Sequence, residues 1–379
     1  MSATALSAIR LTARLRCALL AARRAIPPAM TGRRVVTLAG SILFATALAA
    51  CGGGSPSPSP TVTVTASGTA TAAATAPAAS ASAAAAPPSI VAVTSSGALV
   101  TLDPATGTVV TTLVPSRVLG DEITVSSSGL VYFAVRRGCS TVVEAIPAGG
   151  GSVVRIATGS LPAISPDGTK LAYADQPLLR PGCISSNPAD FVSHFRLAIR
   201  TLSSGATTTL PMVPAGQDTG LPAPIEHLSW APDNDHLAVS IAAVEDNEGW
   251  NLVLVDTASA HYYLTGAGTT NVPVTGGPNA RDSYLREGVY LPDGDLFVSR
   301  ACCAGEPVRN TSRLMWEVTT GGTFLRRVAI GYPTLDHTSL DASPDGRWLL
   351  YLAGSDLYVS DGGATPRQIA SGLIAAAWG

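Results

Sequence analysis

Short apolar strands repeated in units of four around a Pro-Asp-Gly turn, with helical periodicity absent throughout, predict an all-β fold. The spacing of the units points to a six-bladed rather than a seven-bladed β-propeller over 89–379, following a leader at 1–50 and a tether at 51–88.

The turn is clearest at Ser165-Pro166-Asp167-Gly168 and Ser343-Pro344-Asp345-Gly346, each between two apolar strands. Proline presets the turn and glycine supplies positive φ. Degenerate copies stand at Ser126-Ser127-Ser128-Gly129, Ala231-Pro232-Asp233-Asn234 and Leu291-Pro292-Asp293-Gly294. Starts at 126, 165, 231, 291 and 343 are separated by 39, 66, 60 and 52 residues. A four-stranded blade needs roughly 40 to 50 residues, and loop insertions make up the excess.

Two further strands follow in each unit, as in 251–256 then 261–264, or 356–360 then 367–370. The first unit (90–94, 98–102 and 109–114) lacks an inner strand, while the chain ends on Ile374-Ala375-Ala376-Ala377-Trp378. That tail is expected to complete blade one, so that the ring closes without an open sheet edge.

These repeats resemble those of TolB-like and, more broadly, WD-repeat-like β-propellers, in which the Ser-Pro-Asp-Gly turn joins the innermost strand of a blade to the next one out. A sialidase repeat would place glycine two residues after the aspartate instead. The resemblance implies a rigid platform for partner binding, and it is poor for function, since such rings also serve in peptidases and lyases.

Ahead of the ring, Val35 to Ala50 is a 16-residue apolar run preceded by Arg33-Arg34, the form of a secretory signal peptide. Ala49-Ala50-Cys51 resembles a bacterial lipobox, with Cys51 as the lipidated residue; cleavage at an ordinary secretory site is the alternative. Met30 would also serve as a start. The tether is Ser, Pro, Ala and Thr without charge, too poor in apolar area to fold.

The formal charge of −2 conceals an imbalance. Seven arginines lie in 1–50; without them 17 basic residues face 26 acidic ones, a net charge of −9. Such a body has no cation excess for a phosphate backbone, so nucleic acid is excluded as a partner.

Within a blade, the turns after the first and third strands share one face and are short everywhere. The connections on the other face are long: 175–194, 211–224, 242–250, 266–286 and 300–312. Long insertions cost little and are seldom kept without a role, so the loop-rich face is the expected binding face. Its candidates are Arg136, Arg137, Asp175, Arg180, His194, Asp246, Glu248, Trp250, Arg300, Asp336 and His337. Asp246 and Glu248 beside Trp250 suit a cation or a sugar, yet no metal signature is complete, and no cofactor is expected.

Cys139, Cys183, Cys302 and Cys303 all fall on this face, and export makes disulfides the default. Cys139 and Cys183 belong to neighbouring blades and are expected to pair; Cys302 and Cys303 either bridge to each other or stay reduced. There is no Gly-x-Ser-x-Gly elbow, His-Glu-x-x-His helix or phosphate loop. Of the five histidines, His194 and His337 are the two selected for function. The expectation is a monomeric, non-enzymatic binding protein, lipid-anchored outside the cell membrane and facing an envelope protein or glycan. The alternative is a lyase or lactonase working in the axial funnel; a lactonase-type calcium site needs inner-strand acids that the sequence does not visibly assemble.

Overall fold

The computed structural model describes residues 88–176, 183, 195–211, 224–242, 250–258, 261–263, 284–301, 315–329, 337–361 and 365–379. They form six four-stranded antiparallel sheets, the blades of a propeller.

Blade one comprises β1 (Ile90–Thr94), β2 (Leu99–Leu102), β3 (Val109–Val114) and, from the chain's other end, β24. Blade two holds β4 (Val118–Val125), β5 (Leu130–Arg137), β6 (Ser140–Pro147) and β7 (Val154–Thr158). Blade three holds β8 (Ser160–Ile164), β9 (Lys170–Asp175), β10 (Arg196–Thr201) and β11 (Thr207–Pro211). Blade four runs β12 (Ile225–Trp230), β13 (His236–Ala242), β14 (Trp250–Asp256) and β15 (His261–Tyr263). Blade five follows with β16 (Tyr284–Tyr290), β17 (Leu296–Ala301), β18 (Met315–Val318) and β19 (Phe324–Ala329). Blade six closes the count with β20 (His337–Ala342), β21 (Leu349–Ala353), β22 (Asp356–Ser360) and β23 (Arg367–Ser371), ahead of β24 (Leu373–Trp378).

The expected closure is present. β24 pairs antiparallel with β1, placing Trp378 opposite Ile90, Ala377 opposite Val91 and Ala376 opposite Ala92. Ala375, Ala376, Ala377 and Trp378 are all buried there. Blades pack face to face through apolar residues of their middle strands. Val91, Phe133 and Ile146 join blades one and two, while Leu197, Val239 and Val253 join blades three and four.

The Ser-Pro-Asp-Gly turn has a specific hydrogen-bond logic. Ser165 Oγ donates to Asp167 Oδ1 at 2.6 Å and accepts from the Lys170 N–H at 2.9 Å, while Asp167 Oδ1 also accepts from the Thr169 N–H. Ser343 and Asp345 repeat the pattern with the N–H groups of Trp348 and Arg347. These bonds hold both aspartates below the usual carboxylate range, the serine hydroxyl contributing most. In the degenerate copy Ser128 takes the aspartate's place, its Oγ 2.9 Å from Ser126 Oγ. Gly168 and Gly346 have φ of +71° and +69°, and Asn234 fills the same place in blade four at +63°.

Neighbouring blades are tied at this level too. Trp230 Nε1 donates to the Ala163 carbonyl at 2.9 Å, and Lys170 Nζ reaches the Asn234 carbonyl and Asp235, each at 2.9 Å.

Candidate functional site on the ring axis

The six innermost strands β4, β8, β12, β16, β20 and β24 surround a cavity of about 1040 Å³ on the ring axis. That volume is at the upper end of small-molecule pockets. Each of these strands shifts register against its neighbour near its start: between Val118 and Ile123, Ser160 and Ala163, Ile225 and His227, Leu285 and Glu287, Thr338 and Asp341, and, in the partner of β24, Val93 and Thr94. Such irregularities re-aim side chains. Four residues before each turn, the affected positions are Glu122, Leu161, His227, Glu287, Ser339 and Ala375. Leu161 and Ser339 carry the bend in their own backbones, with φ of +52° and +51°.

Three of these six side chains are ionisable and mostly buried. Glu122, from blade two, accepts a hydrogen bond from the Leu228 N–H of blade four at 3.2 Å. His227 Nε2, also from blade four, lies 3.4 Å from the other Glu122 oxygen. Both contacts bypass blade three, so these side chains reach across the inside of the ring. Glu287 of blade five accepts from the Leu340 N–H of blade six at 3.4 Å. Two residues nearer the turn, Asp341 accepts from Ala342 and Trp378 N–H groups, both at 2.8 Å. Asp121 and Glu226 also line the cavity.

Electrostatics follow from this crowding. Burial raises the Glu122 carboxyl well above its ordinary range, and repulsion from Glu287 adds to it. Burial pushes Asp341 up to about 7, against the pull of its two backbone donors. Burial lowers His227 to about 4, so the imidazole is neutral at neutral pH. Among the described residues, three buried polar atoms of the lining have no hydrogen-bond partner: Thr141 Oγ1, His227 Nδ1 and Trp378 Nε1.

The cavity is rimmed by the short turns, with Ser127, Pro166, Pro232, Pro292 and Pro344 at its edge. The loop-rich face expected from the sequence is the opposite one. There, Arg136 and Arg137 end β5 and are exposed, with Arg137 donating to Glu144 at 3.0 Å. Asp175 ends β9 and accepts from Arg196 at 2.6 Å. Trp250 and His337 begin β14 and β20, and Arg300 lies in β17. The side chains of those three, and the whole of Arg180, His194, Asp246, Glu248 and Asp336, lie outside the described residues, as do Cys51, Cys302 and Cys303. Of the loop candidates only Arg136, Arg137 and Asp175 have side chains among the described residues; Glu122, His227, Glu287 and Asp341, which line one cavity, were absent from the sequence-derived candidates.

The expected disulfide is formed between Cys139 and Cys183, with Cα atoms 5.1 Å apart. It joins the turn between β5 and β6 of blade two to the segment after β9 of blade three, on the loop-rich face.

Fold and cavity together define a closed six-bladed propeller with an acidic axial site. No family model matches the chain, and no curated protein sequence does. Among solved structures, the chain is similar to TolB from Acinetobacter baumannii at 12% identity and a TM-score of 0.49, over 76% of this chain and 65% of that one. It is likewise similar to a putative TolB from Agrobacterium tumefaciens, at 15% identity and a TM-score of 0.47 over 76% of this chain and 90% of that one. The β-propeller domain of the Trilobed protease from Pyrococcus furiosus matches at 15% identity and a TM-score of 0.38, over 65% of this chain and 71% of that one. The likeness is one of fold.

Proposed function

We propose that this chain is a lipid-anchored, extracytoplasmic binding module of the bacterial envelope that holds its ligand in the axial cavity. The observation that carries the binding reading is the convergence of inner-strand Glu122, His227, Glu287 and Asp341 on one enclosed volume, each from a strand whose register shift aims it there. Apolar side chains would fill the axis at lower cost, since buried carboxylates must shed their water.

Export and anchoring are supported by the signal-like run ending at Cys51, and export also by a disulfide of the kind oxidising compartments favour. The long connections of the opposite rim, with Asp246, Glu248 and Trp250, extend recognition towards an envelope protein or glycan.

One observation favours a catalytic reading: Asp341 near pH 7 is matched to proton transfer. Against it, both Asp341 oxygens are already engaged by backbone N–H groups, which suits a structural carboxylate better than one that exchanges protons with a substrate.

The test is native mass spectrometry of the full chain purified from membranes, compared with Thr338→Trp, which places an indole in the cavity wall. A bound species present in the wild type and absent from the variant supports the reading. An empty wild-type protein, or a species retained by the variant, removes it.

A further inference from the structure

The charge of the cavity is one-sided. Asp121, Glu122, Glu226, Glu287 and Asp341 line it, and no lysine or arginine does among the described residues. Hydrogen-bonding capacity leans the same way. Glu122 accepts from the Leu228 N–H with one oxygen, and its other oxygen faces His227 Nε2. With Glu122 ionised, the state a bound cation favours, the Nε2–H tautomer faces the carboxylate and the Nδ1 lone pair is left as an acceptor. The ring is 6% exposed, and Nδ1 makes no well-aligned hydrogen bond among the described residues, with the Leu340 backbone the group within reach of the imidazole. What this part of the site lacks is a donor with positive charge.

We propose that the axial cavity binds a small organic cation through a protonated primary amine, the ammonium lying among Glu122, Glu287 and His227. This deepens the binding reading above and rests on it. An ammonium has three N–H donors that can be shared among carboxylate oxygens and an imidazole nitrogen approaching from different blades. A metal ion requires several ligands on one coordination sphere, and among the described residues no three histidine, cysteine or acidic side chains are so placed. A bound cation opposes the upward shift of the Glu122 carboxyl, which comes first from burial and then from repulsion by Glu287.

The experiment is isothermal titration of the full detergent-solubilised chain with putrescine and spermidine. Uncharged 1,4-butanediol, succinate and calcium chloride are titrated as comparators. Saturable heat is expected for the amines alone, weakening as sodium chloride rises. Glu122→Gln and Glu287→Gln keep the side-chain shape and an acceptor for the Leu228 and Leu340 N–H groups. Each is expected to weaken amine binding about tenfold or more. The proposal is overturned if no amine binds, if binding is indifferent to salt and to both substitutions, or if calcium binds in preference.

Should a variant fail to fold, the salt dependence of the wild type still decides. Failure with every amine, while Thr338→Trp still displaces a species seen in the native spectrum, sinks the amine class alone. An empty native spectrum as well sinks both.

Discussion

Asp341→Asn should stabilise the protein above neutral pH and do progressively less as pH falls. The folded carboxyl titrates at about 7 and its unfolded counterpart near 3.8. Because the folded value is the higher one, the folded state holds the proton after the unfolded chain has released it. Asp341 therefore favours folding most below pH 4, loses that contribution between about pH 4 and 7, and is level above. A gap of roughly 3 pH units corresponds to about 4 kcal/mol as an upper bound, since the side chain is partly open to the cavity. Asparagine keeps an acceptor for one of the Ala342 and Trp378 N–H groups and forfeits a charge-assisted bond, which returns about 1 kcal/mol. The net expectation at pH 8 is a gain of about 2 to 3 kcal/mol, or several degrees in Tm for a ring of this size. Urea unfolding of both proteins from pH 4 to 8 measures it, and taking the difference between them cancels groups they share. His227, lowered to about 4, gives an opposing slope between about pH 4 and 6.5 that is one of those groups. A difference that does not change with pH would refute the assignment of a proton to Asp341.

Removing Ile374 to Gly379 deletes the strand that closes blade one, exposes β1 and buries nothing in return; complete loss of the cooperative transition is expected by calorimetry. Cys139→Ser opens a loop with a sequence separation of 44 and should cost about 2 to 4 kcal/mol, seen as a fall in Tm that reductant also produces in the wild type. Asp345→Ala removes the acceptor of Ser343 Oγ and of the Arg347 N–H, and a loss of about 1 to 2 kcal/mol in urea unfolding is expected. Under the proposed lipidation, Cys51→Ala should abolish incorporation of radiolabelled palmitate into the chain, read by autoradiography after immunoprecipitation.

The ring was legible because its signals are local. Ser165 and Asp167 bond to the backbone within five residues of themselves, so turn chemistry stands directly in the sequence. The closure was legible because blade one lacks an inner strand and the chain ends on a strand left over from blade six. The Cys139–Cys183 pair followed from topology, both residues leaving a second strand of adjacent blades. The axial site is of another kind. Glu122 meets Leu228 at a separation of 106 residues, and Asp341 meets Trp378 at 37, through contacts that no local pattern encodes. Long loops drew attention to the opposite rim, where length is visible in a sequence and convergence is not.

A signal for the axis was nevertheless present in the comparison of the repeats with one another. At the turn, proline and aspartate recur in blades three to six, and serine and glycine in most copies, because each does the same work where it stands. Four residues earlier the copies read Glu122, Leu161, His227, Glu287, Ser339 and Ala375. Six equivalent backbone positions, all brought to the axis by the same shift in register, thus carry five chemically different side chains. A position whose role was only to pack a repeating blade would be held to similar apolar residues, as the middle strands are with their valine, leucine and alanine. Such divergence on the axis, where all six blades meet, is what a single asymmetric ligand would demand of a six-fold scaffold. Small Ser339 and Ala375 beside three ionisable groups leave room on one side and charge on the other.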